Sequence, residues 1–367
     1  MQIQPSQPVQ PVRPATDAQP TTAQTSQAAA PATAPDRLSR SSASAPQPAI
    51  LNLNLLPAPA DYQQAVARLQ QRVAADLSLQ DRSQPRDSYL RDNYQSQFVA
   101  QPEPTPKGTV IMLHGYTAGP WQYDEAVSRF AEAGYNVYAP RLPGHGFMKP
   151  DGTPTGEDMV KPWERERYDQ FIDQVYREAA ALGGPVQVIG LSGGGNLALQ
   201  MAEKHPQITG VVAMAPYVGP NATARQVNNA VNTLARHSFL KLPRLLDLIP
   251  YNRNIRNLAQ AKTPHTQGTL ANAQAMFSMG TELERVKVPV KFFTTEGDLL
   301  SGPDAVKDLY PGNAGRQNGW THFPAEAQVP HAMASPKQFQ GAEAIWDQVF
   351  DTIEAGAAPK PLPGIQP

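Results

Sequence analysis

Ser192 stands in the run Gly190-Leu191-Ser192-Gly193-Gly194, after the apolar stretch Val186-Gln187-Val188-Ile189 and before Asn196-Leu197-Ala198-Leu199-Gln200-Met201-Ala202, which reads as a helix. A serine between glycines, at a strand-to-helix turn, is the arrangement of a nucleophile held in a sharp bend. Bulky neighbours at 190 and 194 would clash with that bend, and glycine avoids the clash. The helix that starts there aims backbone N–H groups at the site and favours a developing negative charge.

A serine hydroxyl is a weak nucleophile at neutral pH and needs a base. His331, in Val329-Pro330-His331-Ala332-Met333, lies after the last strand and before the last helix, where it can reach over the strand ends. The base in turn needs a carboxylate to hold its tautomer. Asp298, in Thr295-Glu296-Gly297-Asp298, is preferred to its rival Glu296 because Gly297 lets the chain turn and present the next side chain. Ser192, Asp298 and His331 occur in the chain order that a strand-turn-helix nucleophile uses. The tetrahedral oxyanion needs two fixed donors. The amide of Gly193 is one, and the amide of Tyr116, in His114-Gly115-Tyr116-Thr117, is the other. His114 reads as a residue that holds this loop. His322 reads as structural, His205 closes a helix before Pro206, and His237 and His265 fall in a long connection.

The elements that must position these groups alternate. Thr109–Leu113, Tyr135–Tyr138, Val186–Ile189, Gly210–Met214 and Val290–Phe293 are short apolar runs. Helical patterns at Trp121–Ala133, Trp163–Leu182 and Pro336–Ile353 fall between and after them. Apolar strands each followed by a helix imply a parallel sheet covered on both faces, with the reactive site at the strands' carboxyl ends. Upstream, Tyr62, Val66, Leu69, Val73 and Leu77 form one stripe of a helix, with Asp61 as its N-cap.

Composition narrows the classes. The 367 residues carry a net charge of −1, which gives no electrostatic reason to expect nucleic acid or an anionic membrane as partner. There is no cysteine, so disulfides and thiolate chemistry are excluded. No apolar run is long enough for an integral membrane segment, and no cleavable signal peptide is recognisable. The location expected is the cytoplasm, or outside the cell without such a signal. Residues 1–58 are rich in Gln, Pro, Ala, Ser and Thr and read as a disordered tail. Residues 217–286 contain Leu240, Leu242, Leu245, Leu246, Leu248 and Ile249 and no strand signal; they read as a helical cap.

Val110–Thr117, Gly134–Gly146 with its Arg141-Leu142-Pro143-Gly144-His145-Gly146, and Gly190–Gly194 together resemble the α/β-hydrolase superfamily, and within it the bacterial carboxylesterase and monoacylglycerol lipase (serine aminopeptidase-like) group. The resemblance implies an α/β-hydrolase fold, a mostly parallel doubly wound sheet with a helical cap insertion. Its parts would be an N-terminal helix and lead-in strand over 59–104, a core over 105–216 and 287–356, the cap over 217–286 and a flexible C-terminal tail over 357–367. It implies Ser192 as nucleophile, Asp298 as acid, His331 as base, and Tyr116 and Gly193 as oxyanion donors, with no cofactor and no metal. It departs from many relatives in having glycine, not methionine, after the serine.

The expected reaction is hydrolysis of a small-molecule ester with an apolar acyl group through an acyl-serine. An amidase or aminopeptidase would use the same triad and would want a carboxylate for the substrate ammonium, for which Glu157, Asp158 and Glu164 are the candidates. A non-catalytic scaffold is the third reading.

Overall fold

Strands that read as unbroken apolar runs become the middle of a parallel sheet in the computed structural model of the chain, which describes residues 62–102, 106–218, 268–281, 283, 286–298, 300–309 and 319–357. The tail over 1–58, the expected cap residue Asp61, His237, His265, the leucines of 240–248 and the stretch 358–367 lie outside the described residues.

In chain order the strands are β1 (Tyr89–Leu90), β2 (Gln97–Val99), β3 (Thr109–Leu113), β4 (Asn136–Ala139), β5 (Phe147–Met148), β6 (Val186–Leu191), β7 (Gly210–Met214), β8 (Val290–Thr295) and β9 (Gly319–Phe323). The helices are α1 (Tyr62–Ser78), α2 (Asp124–Glu132), α3 (Glu166–Ala180), α4 (Gly193–Lys204), α5 (Leu270–Thr281), α6 (Pro303–Leu309) and α7 (Ala342–Ala357). The main sheet runs β2-β4-β3-β6-β7-β8-β9. Only its first pair, β2 with β4, is antiparallel; the others are parallel. β1 and β5 form a separate two-stranded ribbon.

Alternate residues of each strand serve opposite faces. Ile111, Leu113, Val188 and Phe292 pack with Leu69 of α1, Ile172 of α3, Leu197 of α4 and Met276 of α5. Val110, Met112, Ile189 and Phe293 pack with Phe130 of α2 and with Ile345, Trp346, Val349 and Ile353 of α7. Those four α7 side chains recur at helical spacing and are nearly fully buried; each stabilises by about 1.5–3 kcal/mol. Among the described residues no helix is long and apolar enough to cross a membrane.

Several expected elements shift. The helix expected from Trp121 begins as a 3₁₀ turn at Pro120–Tyr123, and that expected from Trp163 begins likewise at Pro162–Glu164. The last helix starts at Ala342, not Pro336. The stripe on α1 is shorter than its periodicity implies. Val66 and Leu69 are buried, but Leu77 is 48% exposed. The buried residue in the final turn is Asp76, which bonds Arg141 Nη2 at 2.6 Å and Ser96 Oγ at 2.7 Å. Burial alone would push the Asp76 carboxyl up, but Arg141 and Ser96 outweigh it and hold it below its ordinary value. Within 217–286, the described residues 268–281 carry α5, which packs on α4.

Candidate active site

β6 ends at Leu191 and α4 begins at Gly193, so Ser192 alone makes the turn. Its backbone sits at φ 55° and ψ −116°, a region that costs a side-chain-bearing residue roughly 1–3 kcal/mol and recurs at functional sites. The surroundings impose it. Ser192 N–H donates to Met214 O at 2.9 Å, and Ser192 O accepts from Asn196 N and Tyr217 N at 3.1 and 3.0 Å. The glycine requirement is quantitative. A Cβ on Gly190 would lie 2.2 Å from Gly194 O, and one on Gly194 would lie 1.9 Å from Leu113 O. Both obstacles are backbone and cannot swing away.

His331 Nε2 lies 2.7 Å from Ser192 Oγ, and His331 Nδ1 lies 2.6 Å from Asp298 Oδ2. With Nδ1–H donating to the carboxylate, Nε2 is the acceptor for the serine proton. The Asp298 side chain is 2% exposed, against 19% for His331. Its second oxygen, Oδ1, accepts from Leu300 N–H at 2.8 Å and Ser301 N–H at 3.1 Å. Burial pushes the Asp298 carboxyl up, but His331 and these two amides overcome it and hold it below its ordinary value. The carboxyl therefore stays charged at neutral pH. Gly297, at φ +75°, makes the turn that separates the two acids. Glu296 faces the other way and bonds His322 Nε2 at 2.8 Å. His322 Nδ1 meets Thr294 Oγ1 at 2.9 Å, so His322 belongs to the sheet edge. The loop that carries His331 is tied to β8, where Thr295 Oγ1 donates to Val329 O at 2.8 Å.

The loop after β3 is pinned by buried side chains. Gly115 N–H donates to Gln122 Oε1 at 2.8 Å, and Tyr123 Oη donates to Leu113 O at 2.8 Å. His114 Nε2 accepts from Leu142 N–H at 3.0 Å, so its Nδ1–H donates to Gly115 O at 2.9 Å. Full burial, with His145 beside it, pushes His114 well below its ordinary value and keeps it neutral. His114 is thus a brace for the loop. The loop places Tyr116 beside the elbow: a Cβ on Gly193 would lie 3.2 Å from Tyr116 Cβ. The two residues expected to offer oxyanion donors are neighbours in space.

Two of the three carboxylates considered for an ammonium are already paired with cations. Glu157 pairs with Lys149 at 3.0 Å and Glu164 with Arg167 at 3.0 Å. Asp158 is exposed. The residue that sequence reasoning missed is Met276 of α5, whose Cγ would be 2.8 Å from a Cβ on Gly193.

A hydroxyl, an imidazole and a carboxylate in one hydrogen-bonded chain at the carboxyl ends of a parallel sheet define a serine hydrolase of the α/β-hydrolase fold. The family described as Serine aminopeptidase, S33 (Hydrolase_4) matches residues 104–322, and the chain belongs to it. A thermostable monoacylglycerol lipase from Bacillus sp. (strain H-257) is 31% identical over 209 residues, covering 55% of this chain and 75% of that protein. Two solved structures share the fold. A soluble variant of monoglyceride lipase from Saccharomyces cerevisiae, in complex with a substrate analog, matches with a TM-score of 0.53 at 13% identity, over 72% of this chain and 92% of that one. A highly thermostable carboxyl esterase from Bacillus coagulans, in complex with glycerol, matches with a TM-score of 0.50 at 16% identity, over 74% of this chain and 98% of that one.

Proposed function

We propose that this chain hydrolyses carboxylic esters with an apolar acyl group, through an acyl-serine intermediate. The observation that carries the reading is the continuous chain Ser192 Oγ, His331, Asp298, with contacts of 2.7 and 2.6 Å. His331 Nε2 takes the Ser192 proton as Oγ attacks the ester carbonyl. The carbonyl oxygen becomes an oxyanion, received by the amides of Gly193 and Tyr116. His331 then gives its proton to the leaving alcohol, and the acyl-serine forms. Water enters, gives a proton to the same nitrogen and attacks the acyl carbon; collapse returns the proton to Ser192 and releases the acid. Asp298 remains ionised throughout and stabilises the imidazolium.

Three further observations favour esters over aminoacyl amides. The 31% identical relative is a monoacylglycerol lipase. Glu157 and Glu164 are already paired with cations, and Asp158 faces solvent. Apolar side chains border the elbow: Met276 and Tyr116 flank Gly193. The test compares p-nitrophenyl esters of increasing chain length with aminoacyl-anilides on purified protein. Turnover of the esters, lost in Ser192→Ala, is the expected result. Preferential turnover of the anilides would move the assignment to an aminopeptidase.

A further inference from the structure

The glycine after the nucleophile is covered by a side chain from another element. A Cβ on Gly193 would lie 2.8 Å from Met276 Cγ and 3.0 Å from Met276 Sδ, as well as 3.2 Å from Tyr116 Cβ. The volume that a side chain at 193 would need is filled by Met276, which is fully buried.

Helix α5 is held in place by polar ties. Asn272 Nδ2 donates to Met159 O at 3.0 Å and Val160 O at 3.2 Å. Asn196 Nδ2 of α4 donates to Met276 O at 3.4 Å, and Gln200 Nε2 of α4 donates to Met279 O. Gly280 allows the close approach, since a Cβ there would lie 2.6 Å from Asn196 Nδ2. The helix that begins at Gly193 therefore grips the helix that carries Met276.

A glycine has the least restrained backbone of any residue. An oxyanion donor works only when its direction is fixed before the charge develops. Gly193 opens α4, so helical geometry already restrains its backbone, and packing on it adds to that restraint. We propose that Met276 is a positioning residue for the oxyanion site: its thioether chain, wedged on Gly193 beside Tyr116, holds the two backbone amides towards one point above Ser192. The proposal rests on the ester-hydrolase reading and on the role given there to those amides. It also accounts for the absence of a side chain at 193, because the space is taken.

The test uses the full chain, with p-nitrophenyl acetate as substrate and a trifluoromethyl ketone as an analogue of the tetrahedral intermediate. Met276→Ala should lower kcat by about 10- to 100-fold, short of the ~10²–10³-fold expected for outright loss of a donor. KM should stay within about twofold, and ketone affinity should fall in step with kcat/KM. Met276→Leu, which restores the volume, should keep kcat within about threefold. Gly193→Ala should be severely impaired alone but less so in a Met276→Ala background, where the combined loss should fall at least about tenfold short of the product of the single losses. Unchanged kcat in Met276→Ala, an equal loss in Met276→Leu, or single losses that simply multiply would each overturn the proposal. If circular dichroism shows Met276→Ala unfolded, Met276→Val takes its place under the same criteria. Fluorophosphonate labelling of the unaltered enzyme separates the two levels: no label on Ser192 removes the hydrolase reading, whereas labelling with a Met276-insensitive kcat removes only the positioning role.

Discussion

Asp298 Oδ2 lies 2.6 Å from His331 Nδ1, while Glu296, on the other side of Gly297, bonds His322 instead. The chain places two carboxylates within three residues and sends them to different histidines. Asp298→Asn keeps the shape but removes the charge that fixes the His331 tautomer. Its kcat for an ester should fall by about 10³–10⁴-fold. Glu296→Gln, at the sheet edge, should leave kcat within about twofold, since exposed pairs contribute little. Steady-state kinetics on both variants checks this; equal losses would reverse the assignment of the acid.

The glycines of the elbow should not be equivalent to glycines elsewhere. Gly190→Ala and Gly194→Ala each drive a Cβ to within 2.2 Å or less of a backbone oxygen or carbonyl. Loss of folded protein, or destabilisation beyond about 3 kcal/mol, is expected. Gly152 has a positive φ of +85° but nothing within 4 Å of a Cβ. Gly152→Ala should cost only the conformational term, about 1–2 kcal/mol. Thermal melts of the three variants test the order.

Asp76 and Arg141 join the last turn of α1 to the loop after β4, with side chains only 11% and 13% exposed. Arg141 also donates to His145 O at 3.1 Å. Removing one partner leaves the other charge buried, so Asp76→Ala should lower the unfolding free energy by about 3–5 kcal/mol. Urea denaturation measures it; a change below about 1 kcal/mol would mean the pair adds nothing to the fold.

Stability should also fall in mild acid through His145, whose burial pushes it down from 6.5 to about 4. Below pH 6.5 the unfolded chain takes up a proton that the folded chain refuses, so stability is present above 6.5 and is lost as pH falls towards 4. Each pH unit in that window costs about 1.4 kcal/mol. Unfolding free energies at pH 7 and pH 4.5 should differ more in the unaltered chain than in His145→Gln, by roughly 2–3 kcal/mol. An equal pH dependence in the two would contradict the assignment.

Much of this site was legible because its residues carry local signals. The elbow announces itself through Gly190 and Gly194, and Gly297 marks the acid. The buried parallel strands show as short apolar runs because both of their faces are covered. Edge and long-range features were harder to read. β9, Gly-Trp-Thr-His-Phe, is only half-buried, so it lacks a continuous apolar run. Asp76 looks like a surface acid on α1 until Arg141, far along the chain, is brought beside it. Met276 sits in a stretch that reads as cap, and no periodicity tells that its side chain reaches Gly193. Contacts between distant elements leave no local pattern, and these are the contacts that decide Asp76 and Met276.

Covalent acylation of Ser192, with His331 as its base, underlies the proposed reaction. Incubation with a fluorophosphonate, followed by peptide mass spectrometry, tests it most directly. One adduct on Ser192 is expected, absent in Ser192→Ala and slowed by at least about 10³-fold in His331→Ala. An unlabelled Ser192, or ester hydrolysis that survives Ser192→Ala undiminished, would contradict it.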